Sequence, residues 1–497
     1  MSARTFTVER TRGEAVALGA AVGGGAALVG GLSAVDPLLT LGAVVLVAAS
    51  LAIAAHPPFA VYVVVALVYL NLPATAVKLY GVPRNAAALV PLLLAFPVAV
   101  HLVRGGRLRL DRTLMMLLGL LGLEAVATIL SAHQDEALEN AITFAVEGVV
   151  VYVLLVHAVT DTATLRRAAW AILGAAAVLA VVPLYQAITG AWMQSLGGFG
   201  QVNAGYLRNP DTTPRASGPI GDPNYFAQVL LPALAIGLVA FRSRARHPRR
   251  WPVVALAVLV AIGVLLTYSR GAVVAFLLVV FVLVALGYAK LSHVLLIAVV
   301  AIGLILAMPQ YGDRVLSISS IAGATADEGS EDEADVATRG RAGEMVAAVH
   351  VFADHPVVGV GPGIFPFHYQ EYAKRLGMDI HSTSRVEERA GEEPPRQAHS
   401  LILATAADLG LVGLALYAGL FGTLLHALLR AYRDRRRDAP ALSDLAAALF
   451  LALTAYLAAG MFLSLAFERY LWLLVALAGA AVRLATHEPM KSASRAS

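Results

Sequence analysis

Apolar runs of roughly 17–22 residues recur along the whole of this 497-residue chain. Each run is long enough to cross a hydrocarbon core about 30 Å thick as a helix, because an α-helix rises about 1.5 Å per residue. Hydrophobic residues make up 59% of the chain and charged residues only 14%, and the mean hydropathy is +0.73. These values lie outside the range of soluble domains. The sequence therefore predicts an all-α polytopic membrane protein.

Hydropathy predicts about fourteen spans, and we expect about 12–14 transmembrane helices in the folded chain. The predicted spans are roughly 13–33, 37–55, 58–72, 86–103, 113–131, 138–159, 168–189, 223–241, 251–268, 272–288, 292–309, 399–425, 443–464 and 470–486.

The placement of arginine predicts how these spans are oriented, because short cytoplasmic loops of membrane proteins collect Lys and Arg. With the N-terminus inside, strict alternation assigns every arginine cluster to the cytoplasm, which predicts an even number of spans and two cytoplasmic termini. The clusters are Arg104, Arg107, Arg109 and Arg112; Arg166 and Arg167; Arg242, Arg244, Arg246, Arg249 and Arg250; and Arg430, Arg433, Arg435, Arg436 and Arg437.

This topology divides the chain into four parts. N-terminal transmembrane helices cover 1–189, and core helices with an extracytoplasmic loop at 190–222 cover 190–309. A large extracytoplasmic loop covers 310–398, and C-terminal transmembrane helices with a cytoplasmic tail cover 399–497.

The loop over 310–398 is too long for an idle connection. Its front part, "ATADEGSEDEADVATRG", is acidic and rich in small residues, which predicts a mobile excursion. The next part, "RAGEMVAAVHVFADHP", predicts an amphipathic helix on the membrane surface or on the helix bundle, which Pro356 ends. The stretch "GVGPGIF" then predicts a glycine-rich turn. The apolar residues at helical spacing are Met345, Val346, Val349 and Phe352.

The chain contains no cysteine, which excludes a disulfide framework, a thiolate metal site and a cysteine nucleophile. The acidic run 327–335 has no spacing typical of a metal-binding loop. We therefore expect no metal and no cofactor. The net charge of +4 is less informative than the placement of the basic residues, and we expect no nucleic-acid partner.

Four polar stretches that are far apart in the sequence fall on the predicted extracytoplasmic side. Arg270, in "TYSRGAV", stands in a tight link between two apolar runs, where an arginine is costly unless it meets an anion or a carboxylate. The other stretches are "RASGPIGDPNYFA" with Arg215, "TRGRAGEM" with Arg339 and Arg341, and "QAHSLIL" with His399.

Each of these residues also has an ordinary structural explanation when it is considered singly. Arg270 and Lys78 suit anchors at the membrane interface, whose charged ends reach out to water. His399 suits a hydrogen-bonding residue at a helix start. The "DPN" of residues 222–224 suits an N-terminal helix cap with proline at the first helical position.

Taken together, the arginines and the histidine predict a site for a diphosphate and a proton acceptor. Guanidinium groups stay charged and bind phosphate oxygens through two N–H groups, whereas an imidazole can take up a proton near neutral pH. Glycosyl transfer from a lipid diphosphate requires this combination. The predicted supporting residues are Arg339, Asn224, Ser400 and Lys78.

At these residues the chain resembles the O-antigen ligase and polymerase superfamily, bacterial membrane glycosyltransferases that use glycans linked to undecaprenyl diphosphate. The resemblance covers roughly residues 200–425. The matching patterns are "R-x-S-G-x-x-x-D-P-N-x-F-A" from Arg215, "S-R-G-A" from Ser269, Arg341 fifteen positions before Pro356, and His399-Ser400 followed by Gly410 and Gly413.

The resemblance implies a metal-independent, inverting enzyme of the GT-C type in the bacterial inner membrane, acting in the biosynthesis of cell-envelope polysaccharide. Arg215, Arg270 and Arg341 would hold the diphosphate of the donor. His399 would assist the hydroxyl of the acceptor, which is a lipid A core or another cell-surface molecule. Membrane lipids surround both substrates.

Two alternatives remain open at the level of the sequence. A polymerase would extend a second lipid-linked glycan, and two departures from the family pattern leave this choice undecided: Met345 stands where tryptophan is frequent, and Leu414 where ligases often carry threonine. A transporter of lipid-linked oligosaccharides would place charge near the middle of the membrane. Glu124 and Glu147 are the main ionisable residues there, whereas the arginines gather on one face, which favours an enzyme.

Overall fold

The structure is a computed structural model in which every regular element of the described residues is a helix, so the predicted all-α polytopic fold is confirmed. The side chains of residues 333–340 and 468 lie outside the description. The described residues are 52–53, 55–83, 89–103, 105–202, 213–243, 250–290, 292, 333–376, 397–463 and 468–487.

The described residues contain fifteen α-helices. A π-helical turn over Ala145–Val150 joins the fifth helix to the sixth, and short 3-10 segments cover Val90–Leu94 and Leu196–Gly198. The α-helices are α1 (Phe59–Tyr69), α2 (Leu72–Tyr80), α3 (Ala95–Val103), α4 (Arg112–Leu130), α5 (Gln134–Phe144), α6 (Val151–Ala158), α7 (Thr162–Thr189), α8 (Pro223–Ser243), α9 (Trp251–Leu265), α10 (Arg270–Ala285), α11 (Glu333–Asp354), α12 (Phe365–Arg375), α13 (Leu401–Asp434), α14 (Pro440–Gly460) and α15 (Glu468–His487).

Seven helical segments of the described residues are long and apolar enough to cross a membrane. The number is eight if α1 and α2, which meet at an angle of 51°, form one broken span. Each predicted span that falls on described residues coincides with a helix, although several ends differ by a few residues or more. The predicted spans 13–33 and 292–309, and most of 37–55, lie outside the described residues.

The long helices run back and forth between two ends of the bundle. At one end, which we call the site end, lie the loop 213–222, the turn 266–269 and residues 397–400. At the opposite end, the arginine end, Arg435 donates from Nε to Ala485 O (2.8 Å) and Arg483 donates from Nη2 to Val159 O (2.6 Å). The described members of all four predicted arginine clusters lie in the first or last turns of helices or in the loops between them.

The main core lies between α8, α13, α14 and α15. Trp472 is fully buried there, and the rings of Tyr69 and Tyr470 meet edge to face with centroids 5.6 Å apart. Tyr69 also donates from its hydroxyl to Val229 O at 2.6 Å, which ties α1 to α8. A satellite core between α11, α12 and the start of α13 holds α11 at the site end.

The structure corrects one prediction for α11 and shows which face of the helix meets the protein. The helix begins at Glu333, so the last eight residues of the stretch predicted as a mobile excursion are helical; no proline interrupts 333–354. The apolar residues that predicted the helix lie largely on its outward face, whereas small residues, which permit close helix packing, lie on its inward face. The outward residues are Met345, Val346 and Val349, and the inward residues are Glu344, Ala347, Ala348 and Val351.

Helix α13 is broken near its start at Gly410, whose backbone angles of φ 65° and ψ −161° are not helical. Residues 356–361 run alongside the break and exchange backbone hydrogen bonds with it. The predicted glycine-rich turn thus satisfies peptide groups that the break removes from the helical pattern, as a lipid environment requires. These bonds run from Val360 N to Ala407 O (3.0 Å), Gly361 N to Asp408 O (2.9 Å), Leu411 N to Pro356 O (2.8 Å) and Val412 N to Val357 O (3.2 Å).

Two glycines permit this close approach of the two backbones. A β-carbon on Gly359 would lie 2.3 Å from the carbonyl carbon of Asp408, and one on Gly410 would lie 2.3 Å from Val357 O. The side chain of Asp408 adds a further contact, because its Oδ1 accepts the N–H of Phe365 at 2.8 Å. The loop and the break are therefore fixed to each other over residues 356–365.

We expect Gly410→Ala to destabilise the protein, because alanine at this φ stores about 1–3 kcal/mol of strain and its β-carbon meets Val357 O. The measurement is the Tm of the detergent-purified protein. Gly422→Ala is the matched control on the same helix: no atom lies within 4 Å of its added β-carbon, so its Tm should stay the same or rise slightly. Equal Tm values for the two variants would show that the break is dispensable.

Candidate active site

Arg215 lies in the loop before α8, and its guanidinium direction is fixed by two neighbours. Nε donates to Thr267 O at 2.9 Å, and Nη2 donates to Asn224 Oδ1 at 3.0 Å. Thr267 belongs to the turn after α9, and Asn224 to the first turn of α8. The guanidinium therefore bridges two helix ends and is half-buried at the site end.

The predicted helix cap at residues 222–224 is present. Asp222 Oδ1 accepts the backbone N–H of Asn224 at 2.7 Å and that of Tyr225 at 3.1 Å, and α8 begins at Pro223. Because Asp222 caps the helix, the side chain of Asn224 can hold Arg215. The supporting role predicted for Asn224 thus corresponds to a contact with the arginine.

Arg270 is the first residue of α10, and the half-buried side chain starts at the same turn that Arg215 contacts. Ser269 caps the helix, since its Oγ accepts the N–H of Ala272 at 3.4 Å. The backbone N–H of Ala216 donates to Leu266 O at 2.9 Å and joins the Arg215 loop to this turn. Arg215 and Arg270 therefore flank one turn.

The end of α14 joins the start of α8 to the start of α13. A β-carbon on Gly460, the last residue of α14, would lie 3.3 Å from Gln228 Nε2 and 3.5 Å from Leu401 Cδ2. Gln228 also donates from Nε2 to Tyr456 O at 3.2 Å. Small side-chain volume at this helix end thus lets three helices meet.

The same helix end approaches Arg270. Phe462 lies two residues beyond α14, and its Cδ2 would be 3.3 Å from a β-carbon on Gly271. Since Leu401 follows the histidine by two residues, these contacts bring Arg215, Arg270 and His399 to one region around the end of α14.

His399 contacts a buried glutamate that the sequence analysis did not single out. Its Nδ1 lies 2.6 Å from Oε2 of Glu344 on α11 and 2.9 Å from Gln397 O. The side chain of Glu344 is 3% exposed and that of His399 is 25% exposed. Both neighbours of Nδ1 are oxygen acceptors, so Nδ1 carries the proton and Nε2 is the nitrogen that can accept one.

The backbone at His399 has a φ of 43°, in the left-handed region that few side chains adopt. The next residue, Ser400, caps α13, because its Oγ accepts the N–H of Leu403 at 3.4 Å. The predicted role of Ser400 beside the substrate therefore competes with a capping role, and the cap sets the position of the imidazole at the helix start.

The remaining predicted residues lie at different distances from this region. Arg341 is half-buried on α11, one turn before Glu344. Arg339 belongs to the same helix, but its side chain lies outside the described residues. Lys78 donates from Nζ to Gln201 Oε1 at 2.9 Å, and the amide of Gln201 donates to Pro219 O at 2.8 Å, so Lys78 supports the loop that carries Arg215.

Sequence reasoning missed two charged residues at the site end. Glu344 lies on one helix face with the buried residues Ala347, Ala348 and Val351. An acidic residue on a face of small residues could have indicated that its carboxylate is buried beside a polar or charged partner. Arg469, at the start of α15, gave no such signal. Its Nε lies 3.9 Å from Glu147 Oε1 and its Nη1 donates to Asn71 Oδ1 at 3.3 Å.

A separate group of histidines lies near the C-terminal end of α11. The ring of His368 is 6.0 Å from that of His133 and 6.3 Å from that of His355. Burial lowers the pKa of His368, and the neighbouring charges of His133 and His355 lower it further. His355 lies eleven residues beyond Glu344, about 16 Å along a helix, so this group is distinct from the surroundings of His399.

Within the described residues, no group of three or more His, Cys, Asp or Glu side chains could hold a metal ion. The residues that the contacts above connect around the end of α14 include Arg215, Arg270, His399 and its ion-pair partner Glu344. Such a set can bind an anion and move a proton.

Comparison with known families adds to this geometry. Residues 255–418, about one third of the chain, match the family model described as O-antigen ligase. The matched segment contains Arg270, Arg341, Glu344 and His399, whereas Arg215 lies before it. No curated protein matches the chain. Residues 255–418 are thus similar to the O-antigen ligase family, and this match supports membership of that superfamily.

Proposed function

We propose that this protein is a glycosyltransferase that moves a glycan from undecaprenyl diphosphate to an acceptor hydroxyl. The family match over residues 255–418 supports a function of the O-antigen ligase or polymerase type in general. The finer proposal concerns the donor, the chemistry and the residues. It rests on the contacts that connect the surroundings of Arg215, Arg270 and His399 through the end of α14.

The two arginines suit a diphosphate. A guanidinium offers planar pairs of N–H groups that match phosphate oxygens, and it stays charged at any physiological pH. Arg215 is oriented before substrate arrives, because Thr267 O and Asn224 Oδ1 hold two of its N–H groups. Arg341 on α11 is the third ligand that we propose, with Arg339, Asn224, Ser400 and Lys78 in supporting positions.

The reaction that we propose is a single displacement. The acceptor oxygen forms a bond to the anomeric carbon while Nε2 of His399 takes the hydroxyl proton. The bond from that carbon to the diphosphate oxygen breaks, and its electron pair leaves with the diphosphate. Arg215 and Arg270 stabilise the negative charge that develops there more than they stabilise the bound donor. One displacement inverts the anomeric configuration.

The direction of the protein in the membrane is part of the proposal. All described arginine clusters lie at the arginine end, and positive charge favours the cytoplasmic side. The site end would then face away from the cytoplasm, at the bacterial inner membrane, with both chain termini inside. A donor carried by a membrane lipid would reach the site from the bilayer, and an acceptor such as a lipid A core would reach it from the same face.

The direct test is transfer by the purified protein from an undecaprenyl-diphosphate glycan to candidate acceptors. One glycan added to a lipid core or other cell-surface acceptor indicates a ligase. A ladder of longer lipid-linked products indicates the polymerase alternative. Uptake of the donor into vesicles without any transfer would contradict both.

We expect Arg215→Lys and Arg270→Lys to lose about tenfold or more of the transfer rate. Lysine keeps the charge but loses the two-pronged geometry, and one charge-assisted hydrogen bond contributes about 1.5–3 kcal/mol. The measurement is the initial rate with the protein shown to be folded by size exclusion. Arg430→Lys is the matched control: this residue is exposed at the arginine end and should keep the wild-type rate. Equal rates for all three variants would identify the site-end arginines as membrane anchors.

We expect His399→Ala to lower the transfer rate by about 10²–10⁴-fold, which is the usual effect of removing a general base. His399→Asn tests the same loss with a residue that tolerates a positive φ, so backbone strain is separated from chemistry. The exposed His350 on α11 supplies the control variant His350→Ala, which should be silent. Rates within a fewfold of wild type for both His399 variants would contradict the assignment.

We expect transfer to continue at its full rate after EDTA treatment, because the charges that face the leaving group are guanidinium groups. The measurement compares the rate before chelation, after chelation and after the addition of Mg²⁺ or Mn²⁺. A loss that either cation restores would contradict the metal-independent mechanism.

A further inference from the structure

We propose that Glu344 is the positioning residue of His399. Its carboxylate, which lies beside Nδ1, would stabilise the imidazolium that forms when Nε2 takes the acceptor proton, while Gln397 O accepts the Nδ1–H and keeps Nε2 as the basic nitrogen. This inference rests on the proposed function and names a residue that acts through His399 and not on the substrate.

The geometry of the pair carries the proposal. Oε2 of Glu344 and Nδ1 of His399 are 2.6 Å apart, within ion-pair distance, whereas the hydrogen bond of Nδ1 is made to Gln397 O at 2.9 Å. Among the described residues, Glu344 is the acidic group within ion-pair distance of His399. The backbone carbonyl of Gln397 lies on the same nitrogen, so both contacts favour one tautomer.

The burial of Glu344 requires a partner. A carboxylate that is 3% exposed has lost nearly all its contact with water, and a buried charge is retained only where it is paired. His399 is less buried, with 25% of its side chain exposed, so Glu344 faces the protein interior and part of the imidazole is accessible from outside. This difference in exposure suits an imidazole that takes a proton from a substrate on its accessible side and contacts Glu344 on its buried side.

The fold keeps the two residues in register although 55 positions separate them in the chain. Glu344 lies on the inward face of α11 with Ala347, Ala348 and Val351, which pack in the satellite core. The loop after α11 is bonded to the break in α13, and His399 stands just before α13. A shift of α11 relative to α13 would therefore have to break the backbone pairing of residues 356–361.

The test separates an electrostatic role from a structural one. Glu344→Gln keeps the shape of the side chain and leaves the hydrogen bond from Nδ1 to Gln397 O in place, but it removes the negative charge. The first readout is the pH–rate profile for glycan transfer. The second is the pH dependence of carbethoxylation of His399 by diethyl pyrocarbonate, followed by mass spectrometry, since this reagent attacks the neutral imidazole and needs no substrate.

In Glu344→Gln we expect the acidic limb of the pH–rate profile and the midpoint of carbethoxylation to move together to lower pH. Loss of the negative charge disfavours the imidazolium, so the neutral ring persists to lower pH. The plateau rate should fall about tenfold or more. The fall should be no larger than the roughly 10²–10⁴-fold that loss of the base itself costs. Glu344→Asp keeps the charge and should leave both curves near their wild-type positions.

Glu371→Gln is the matched control on the neighbouring helix α12. Glu371 is 55% exposed and pairs with Arg375 one turn away, so neither curve should move. A lower rate in Glu344→Gln without a shift of either curve would overturn the proposal and leave Glu344 a packing residue. A shifted carbethoxylation midpoint in a protein that transfers no glycan would support the pair and contradict the proposed function.

Discussion

The backbone pairing between residues 356–361 and the break at Gly410 is the interaction on which the site end depends. A helix in lipid cannot open its hydrogen-bond pattern unless other protein groups replace the lost partners. Here the loop after α11 replaces them, and it approaches closely enough only because Gly359 and Gly410 lack side chains. Since the same loop ends α11, the helix that carries Glu344 and the helix that follows His399 share one joint.

The two halves of the site are organised by the same physical rule. Each charged group is directed by neighbours that do not depend on a substrate: backbone and amide oxygens direct Arg215, and a buried carboxylate directs His399. Groups that are oriented in advance do not have to reorganise when charge develops, which is the main way in which a polar site lowers a barrier. The end of α14 joins the two halves, so packing there controls the distance between them.

Much of the fold was predictable because hydropathy is a local signal, and the helix cap at residues 222–224 was predictable because capping is local too. The face of α11 that is buried against the protein could not be predicted from the sequence. Its apolar residues Met345, Val346 and Val349 face outward, since periodicity identifies a helix but cannot tell which face meets the protein. The partner of His399 was missed for a related reason: the contact joins segments that are distant in the chain. The break at Gly410 likewise needs a loop some fifty residues earlier.

The unusual backbone at His399 and the carboxylate beside it act as two independent filters on what this position can hold. A φ of 43° admits glycine, asparagine, aspartate and histidine far more readily than other residues. The buried carboxylate of Glu344 disfavours an aspartate at position 399, because two like charges at 2.6 Å cannot both stay ionised. An asparagine would fit the backbone, but its amide has no basic nitrogen. Among the common residue types, histidine alone satisfies the conformational filter and also supplies a base that can become a cation. Redesign of this position for another working pH would therefore have to begin at residue 344.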